Sequence, residues 1–506
     1  MLVLNLVGGW IPAFAGMTNI DAFMTIYGTI KYTSKWFRME YGLTMKILIE
    51  QFMQRMFAPT DVASVVLFRV AFGLLMFWEV TRYFYFGWVE ELFAKPQFHF
   101  QYEYFRWVVP IPGAGMYLLF AALGVLALMI ACGLFYRVAT SLFFLGYTYV
   151  FLLDQATYNN HFYLICLLSF VMILAPLNKS WSLDVLRGNV EHTDRLPAFW
   201  LWLIRFHMGL VYFYGGIAKF DPDWLDGLAT RELLGTANRG TIFQPLMDYD
   251  FVHHFYAWSG LLFDLFIPFL MLYKPTRKWA FLAAVLFHTN NYFVFPIGIF
   301  PVLALALTLI FFDADFPRNI VPEKLKKIAR DQYRQRLMPL TNETAEKMEQ
   351  DYVQGISKTM QIILGLYVVI QLLLPFRHTL YPGWTIWHEE GHYFAWRMML
   401  RQKITRMQFN VTHPVTGEQR YADPKDYLNT SQFKVFAGNP GMILLFAHHL
   451  DQLVQSNAGF DPVITAKIEV SLNGREFRPL VDQNLDLSRI PAYEPAFRWI
   501  KPFGER

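Results

Sequence analysis

Cysteine is nearly absent: two residues in 506, Cys132 and Cys166, both inside apolar runs. They give no disulfide framework and no cysteine metal site. Charge is scarce too. Charged side chains make up 17% of the chain and hydrophobic ones 55%, where a soluble domain has about a quarter charged. Together with a mean hydropathy of +0.27, this excludes an ordinary soluble fold. The net charge of +4 is too small for the basic footprint of a nucleic-acid binder, so no nucleic-acid partner is expected. What remains is a polytopic membrane protein whose first partner is the lipid bilayer.

Hydrophobic segments long enough to cross a bilayer, or nearly so, lie at roughly 62–84, 113–134, 138–153, 161–177, 198–216, 251–273, 279–295, 298–312 and 358–376. Trp and Tyr cluster at their ends, Trp78, Tyr83, Trp88, Trp107, Trp224 and Trp279 among them, as interfacial belts require. One set of loops carries Arg137, Lys179, Arg187, Arg195, Lys274, Arg277 and Lys278, then the dense basic run from Arg318 to Lys347. The opposite loops carry only Lys95, Arg106, Lys219, Arg231 and Arg239. This roughly threefold bias puts the amino terminus in the cytoplasm, and nine spans then put everything after Phe376 on the exoplasmic or periplasmic side.

The expected organisation follows. Residues 1–44 are either a start-site artefact or a poorly structured extension. Residues 45–376 form a transmembrane catalytic domain that includes a basic cytoplasmic loop, 313–357, read as a membrane-surface helix or as a docking site. Residues 377–506 form the exoplasmic domain. There, Lys403–Val411 and Ile464–Leu472 alternate like strands, Asn473-Gly474 marks a hairpin turn, and Asn439–Asn457 reads as one amphipathic helix. The fold class is a polytopic α-helical membrane protein of about nine spans with a small, β-rich α+β extramembrane C-terminal domain.

Three polar interruptions fall on the outer side: Asp154–His161, the loop after Leu201–Tyr214, and Tyr292–Gly298 just beyond His288 and Asn291. Polar groups at membrane depth are costly and mark function. In the second, the apolar run breaks at Gly215-Gly216 and delivers Lys219 to the membrane edge, followed by Asp221, Asp223, Trp224 and Asp226. A lysine desolvated at a helix end can serve as a base at neutral pH; it can equally snorkel to the headgroups or pair with a loop aspartate.

His388-Glu389-Glu390-Gly391-His392 matches H-E-x-x-H, in which a helix presents two histidines to zinc and the glutamate acts as base. Gly391 weakens that helix, Pro382-Gly383 lies just upstream, and no third ligand is marked. A membrane zinc protease is therefore the minor alternative, and no metal is expected.

With these residues in view, the chain resembles the vitamin K-dependent γ-glutamyl carboxylase family, whose membrane part is the horizontally transferred transmembrane (HTTM) domain. The likeness rests on Leu153-Asp154 and Asn159-Asn160-His161; on Trp181-Ser182-x-Asp184; and on Val211-Tyr212-Phe213 with Gly216, Lys219, Asp221, Asp223-Trp224 and Gly227. Phe287-His288, Asn291, Ile297-Gly298 and Phe300 continue it, then Leu374-Pro375, His378, Gly383, Trp387, Trp396 and Met398-Met399. Thr416-Gly417-Glu418 and Val470-Ser471-x-Asn473-x-Arg475 complete it. The resemblance implies that Lys219 deprotonates a reduced vitamin K, phylloquinol or menaquinol. Reaction with O₂ then gives an epoxide and a base strong enough to take a γ-hydrogen from a glutamate of a protein or peptide substrate, and the carbanion captures CO₂. It implies that His161 and Asn160 serve the carboxylation half. Substrate contacts are expected at Leu374, His378, Trp387, His288 and Asn291. A lipid-soluble quinol reaches such a site sideways from the bilayer.

The chain departs from the animal members in three places. Ala218 stands where they carry a second lysine, and neither the HEEGH stretch nor the basic loop, where those enzymes bind a propeptide, matches them. A quinol oxygenase that has lost carboxylation, and a non-enzymatic quinone or lipid carrier, therefore stay open beside the carboxylase.

Overall fold

Nine helices occupy the nine apolar segments of the computed structural model, which describes residues 47, 50–295, 297–320, 323–324 and 358–504. They are α1 (Ala63–Tyr85), α2 (Gly115–Cys132), α3 (Tyr136–Leu152), α4 (Asn160–Leu174), α5 (Ala198–Ile217), α7 (Asp250–Leu272), α8 (Arg277–Val294), α9 (Phe300–Thr308) and α10 (Lys358–Leu373), with a surface helix α6 (Leu228–Asn238) after α5. Four are long and apolar enough to cross a membrane: α1, α2, α7, and α10 with its 3₁₀ extension to Leu380. The others are shorter or interrupted by polar residues, such as Arg205 and His207 in α5, so the count of nine spans is not carried by the helices themselves. Large apolar side chains point outward along them, Leu118, Leu145, Leu286 and Ile362 each more than 60% exposed, as lipid-facing surfaces require. The 1–44 extension and nearly all of the basic run lie outside the described residues.

The described residues up to Pro59 form one unit with 197–199, in which Phe57 stacks on Phe199 at 6.0 Å. The described residues of 60–196 and 200–504 form the other.

Two of the quoted motifs are helix-end devices. The Asp184 carboxylate accepts the backbone N–H groups of Phe135 and Tyr136 at 2.7 and 3.0 Å. It thereby caps α3, the negative charge sitting on the positive end of the helix. Asp154, fully buried, accepts from Ala156 N at 2.8 Å, His99 Nδ1 at 3.0 Å and Gln432 Nε2 at 2.8 Å. It ties the loop between α3 and α4 to the C-terminal half.

The C-terminal half is built as its periodicity reads. β1 (Lys403–Thr412), β2 (Gln419–Ala422), β3 (Val463–Leu472) and β4 (Arg478–Pro479) make an antiparallel sheet in the order β2-β1-β3-β4. Lys403 stands opposite Leu472 and Thr412 opposite Val463. The turn at Asn473-Gly474 has both residues at positive φ (50° and 75°) and Arg475 N bonded to Leu472 O at 3.1 Å, the geometry of a primed two-residue turn. α11 (Pro440–Ala458) opens on Asn439, whose side chain caps Met442 N, and closes on Gly459 in the left-handed region. Its buried face, from Met442 to Leu450, lies on the sheet residues Phe409, Ile464, Ala466 and Ile468 in one apolar core. That core continues without a break into Phe100, Ala218, Trp224, Ala257 and Leu261 of the helical half.

Candidate functional site

α5 does not break at Gly215-Gly216; it runs through both to Ile217. The glycines instead let two helices touch. A Cβ on Gly216 would lie 2.7 Å from the backbone nitrogen of Leu265 in α7, and one on Gly215 would lie 3.3 Å from Asp264 Oδ2. With no side chain in the way, α7 packs against the end of α5, and Asp264 meets Lys219. Lys219 Nζ donates to Asp264 Oδ2 at 2.6 Å and to Gly215 O at 3.1 Å, with the Trp224 ring 5.2 Å away. The lysine is 6% exposed and the aspartate 7%. Lys219 is therefore neither snorkelling nor paired to its own loop: its partner comes from another helix.

The loop after Lys219 is stapled to the C-terminal half. Asp223 accepts from Asn473 Nδ2 at 2.8 Å and pairs with Arg475. Asp221 Oδ2 accepts the indole N–H of Trp384 at 2.8 Å. Asn473 and Arg475 of the late motif thus serve the early one.

Several of the other expected residues fall on one chain of contacts that returns to Lys219. From Asp264 it passes to neighbouring Phe263, whose ring meets His288 and Tyr212 at 5.9 Å each. His288, 1% exposed, shares a hydrogen bond with Tyr212 Oη at 2.8 Å, and its Nδ1 is buried without a partner. Phe300 lies between His288 and His161, at 6.0 and 5.8 Å. Asn160, beside His161, accepts from Tyr158 Oη at 3.1 Å, and Tyr158 Oη accepts Phe394 N at 2.8 Å. From Phe394 the chain runs to Met398, whose methyl would lie 2.9 Å from a Cβ on Gly215. Lys219, His161, Asn160 and His288 thus lie along one path of contacts from three helices and their ends, while Asn291 sits half-buried one turn beyond His288.

Three expected contacts are held by other partners. Trp387, 2% exposed, is in the C-terminal core and gives its N–H to Lys501 O at 2.9 Å. His378 Nδ1 bonds Pro375 O at 2.8 Å within the 3₁₀ turn that begins at Leu374.

The HEEGH stretch does not form the helix that a zinc site of this type needs. Its helix ends at His388, and Glu389 has φ of 67°, so the two histidines are not one turn apart on a single face. Glu389, 6% exposed, is clasped by Arg401 and by Lys403 Nζ at 2.6 Å. Burial alone would raise its pKa, but these cations win and hold the carboxyl at about 2. Burial pushes His388 down to about 4, and its Nδ1 accepts the backbone N–H of Glu390 at 3.0 Å.

Asp264 was the residue missed from sequence. Its signal was visible: it is the only acid between Phe251 and Leu272, and an acid inside an apolar run is a functional marker.

Residues 57–316 match the HTTM domain family model, and residues 356–506 match the model of the vitamin K-dependent gamma-carboxylase lumenal domain. No solved structure matches the chain.

Proposed function

Since the chain belongs to the vitamin K-dependent γ-glutamyl carboxylase family, its HTTM domain followed by that family's lumenal domain, we propose that it carboxylates glutamate side chains of a protein or peptide to γ-carboxyglutamate, coupled to epoxidation of a reduced quinone by O₂. The observation that carries this reading is the buried pair of Lys219 and Asp264. The pair is neutral overall whether the proton sits on nitrogen or on oxygen. A free amine can therefore be generated in a dry site without burying a net charge.

In this reading Lys219 passes its proton to Asp264 and takes one from the quinol hydroxyl. Reduced vitamin K, as phylloquinol or menaquinol, supplies with O₂ the strong base that a γ-C–H demands and leaves as the epoxide. The residues fit a hydroxyl-bearing fused ring: a buried amine, the Trp224 face, the stacked rings of Phe263 and Phe287, and the unpartnered His288 Nδ1. Asn160 and His161 serve the half in which the γ-carbanion meets CO₂; among the described residues the His161 ring makes aromatic contacts and no hydrogen bond. The basic-residue bias supports a cytoplasmic amino terminus, which with nine spans makes the lumenal domain exoplasmic.

The test uses purified protein in nanodiscs with reduced vitamin K, O₂, labelled bicarbonate and a short glutamate peptide, scoring epoxide and labelled peptide by mass spectrometry. Lys219→Ala is expected to lose both products, and His161→Ala to lose carboxylated peptide more than epoxide. Epoxide without labelled peptide in the wild type would replace the carboxylase with a quinol oxygenase. Neither product from a protein that binds quinol would point to a carrier.

A further inference from the structure

The segment from Phe394 to Met399 is strained and deeply placed. Phe394, Trp396 and Met399 have φ of 61°, 55° and 52°, a region that costs a non-glycine residue about 1–3 kcal/mol and is kept where geometry matters. Phe394 is tied to the Asn160 side through Tyr158, and Met398 reaches Gly215 beside the Lys219–Asp264 pair. Between them the segment delivers Arg397.

Arg397 is 7% exposed, and its Nε is buried with no hydrogen-bond acceptor. Among the described residues no acceptor reaches its other guanidinium nitrogens, and no carboxylate forms an ion pair with it. The other two buried arginines have acceptors on their terminal guanidinium nitrogens. Arg69 holds the carbonyls of Leu177, Ser180 and Trp181, and Arg277 pairs with Asp313. Arg377, whose Nε also lacks an acceptor, at least lies over the Phe394 ring at 5.5 Å.

The carboxylates whose charge reaches Arg397 are Asp221 and Glu389, and both are committed elsewhere, Asp221 to Trp384 and Glu389 to Arg401 and Lys403. Three cations, Arg397, Arg401 and Lys403, thus share two carboxylates. A desolvated guanidinium without a partner is costly, and its flat fork of donors matches a carboxylate in two parallel hydrogen bonds.

We propose that Arg397 is the seat for the side-chain carboxylate of the acidic peptide, held in a two-pronged hydrogen bond beside the Lys219 site. This identification of the ligand rests on the carboxylase reading. It makes Arg397 the residue that tells glutamate from glutamine, because a neutral amide cannot satisfy the fork.

Full-length protein in nanodiscs is titrated with a fluorescent peptide carrying one glutamate, with the same peptide carrying glutamine, and with bicarbonate as competitor. The wild type is expected to bind the glutamate peptide roughly ten- to a hundredfold more tightly. Arg397→Gln should erase that ratio and raise the peptide KM of carboxylation, and Arg397→Lys should restore part of it. A wild-type ratio in Arg397→Gln overturns the proposal. Should that variant fail to fold, an undiminished ratio in Arg397→Lys does the same. Displacement of the peptide by bicarbonate alone, lost in the variant, would hand the seat to the inorganic carboxylate and overturn the peptide assignment. A wild type that forms no carboxylated peptide removes the carboxylase reading only; the binding ratio then decides Arg397 by itself.

Discussion

Lys219 and Asp264 stand 2.6 Å apart with side chains 7% and 10% exposed, so neither can be judged without the other. Truncating one member of a buried pair leaves an uncompensated charge and costs about 3–5 kcal/mol, whereas replacing both with apolar residues of similar volume is often neutral. Lys219→Met and Asp264→Leu are each expected to lower the melting temperature, and the double variant to recover most of it while remaining inactive. Recovery of activity together with stability would reduce the pair to a structural role. Glu389 makes a second residue-scale case. Its carboxyl sits at about 2 in the fold against an ordinary 4.5. The stabilisation is therefore full above pH 4.5 and is lost as pH falls towards 2, about 3 kcal/mol in all at roughly 1.4 kcal/mol per unit. Glu389→Gln should be less stable than wild type at pH 7 and show a flatter loss between pH 4.5 and 2 in denaturant titrations. EDTA should leave both melting temperature and activity unchanged. A chelator-sensitive enzyme would return the zinc reading.

At the scale of elements, Gly216 is expected to decide how closely α5 and α7 approach. An alanine methyl there meets the Leu265 backbone at 2.7 and 2.9 Å, and backbone cannot yield as a flexible side chain can. Gly216→Ala should separate the helices, cost about 1–3 kcal/mol and depress quinol-dependent turnover with it. Gly235→Ala in α6, where nothing lies within 4 Å, should instead raise helix stability by up to about 1 kcal/mol. The contrast between the two in thermal unfolding separates close packing from helix propensity. This is also where reading from sequence reached its limit. Apolar runs of bilayer length, alternation in Lys403–Val411 and the Asn473-Gly474 turn are local signals, and each produced its element. Gly215-Gly216 read as a break because glycine is locally helix-weakening; in the structure a close crossing with another helix outweighs that cost. Asp264 stood out in its own run, but its pairing with Lys219 depends on that crossing, 45 residues away. HEEGH stayed ambiguous in sequence for the opposite reason: the spacing of a motif is visible there, whereas the positive φ at Glu389 is not.

The whole molecule ties its two halves together more tightly than a boundary near Phe376 suggests. Trp224, Ala218 and Leu261 of the helical half belong to the same core as Phe409, Phe446 and Ile468 of the sheet half. Polar staples reinforce it, Asp223 with Asn473 and Arg475, Asp154 with Gln432, and Asp221 with Trp384. Cutting the chain at 377 would expose that apolar interface and leave Asn473, Arg475 and Gln432 without the carboxylates they hold. A fragment of residues 377–504 is therefore expected to keep strand and helix signals in far-UV circular dichroism, but to bind ANS and unfold without a cooperative transition. A cooperative, ANS-silent fragment would show that the C-terminal half folds on its own and merely docks. The difference bears on function. In a merely docked half, the Phe394–Met399 segment could leave and rejoin the site during turnover. In a fused half, Arg397 and Met398 stay beside Lys219, and the two halves of the reaction share one rigid setting. Asn473→Ala, which removes one polar staple and leaves the apolar core intact, should then reduce labelled peptide more than epoxide, because it loosens the loop that joins the Lys219 site to the lumenal half.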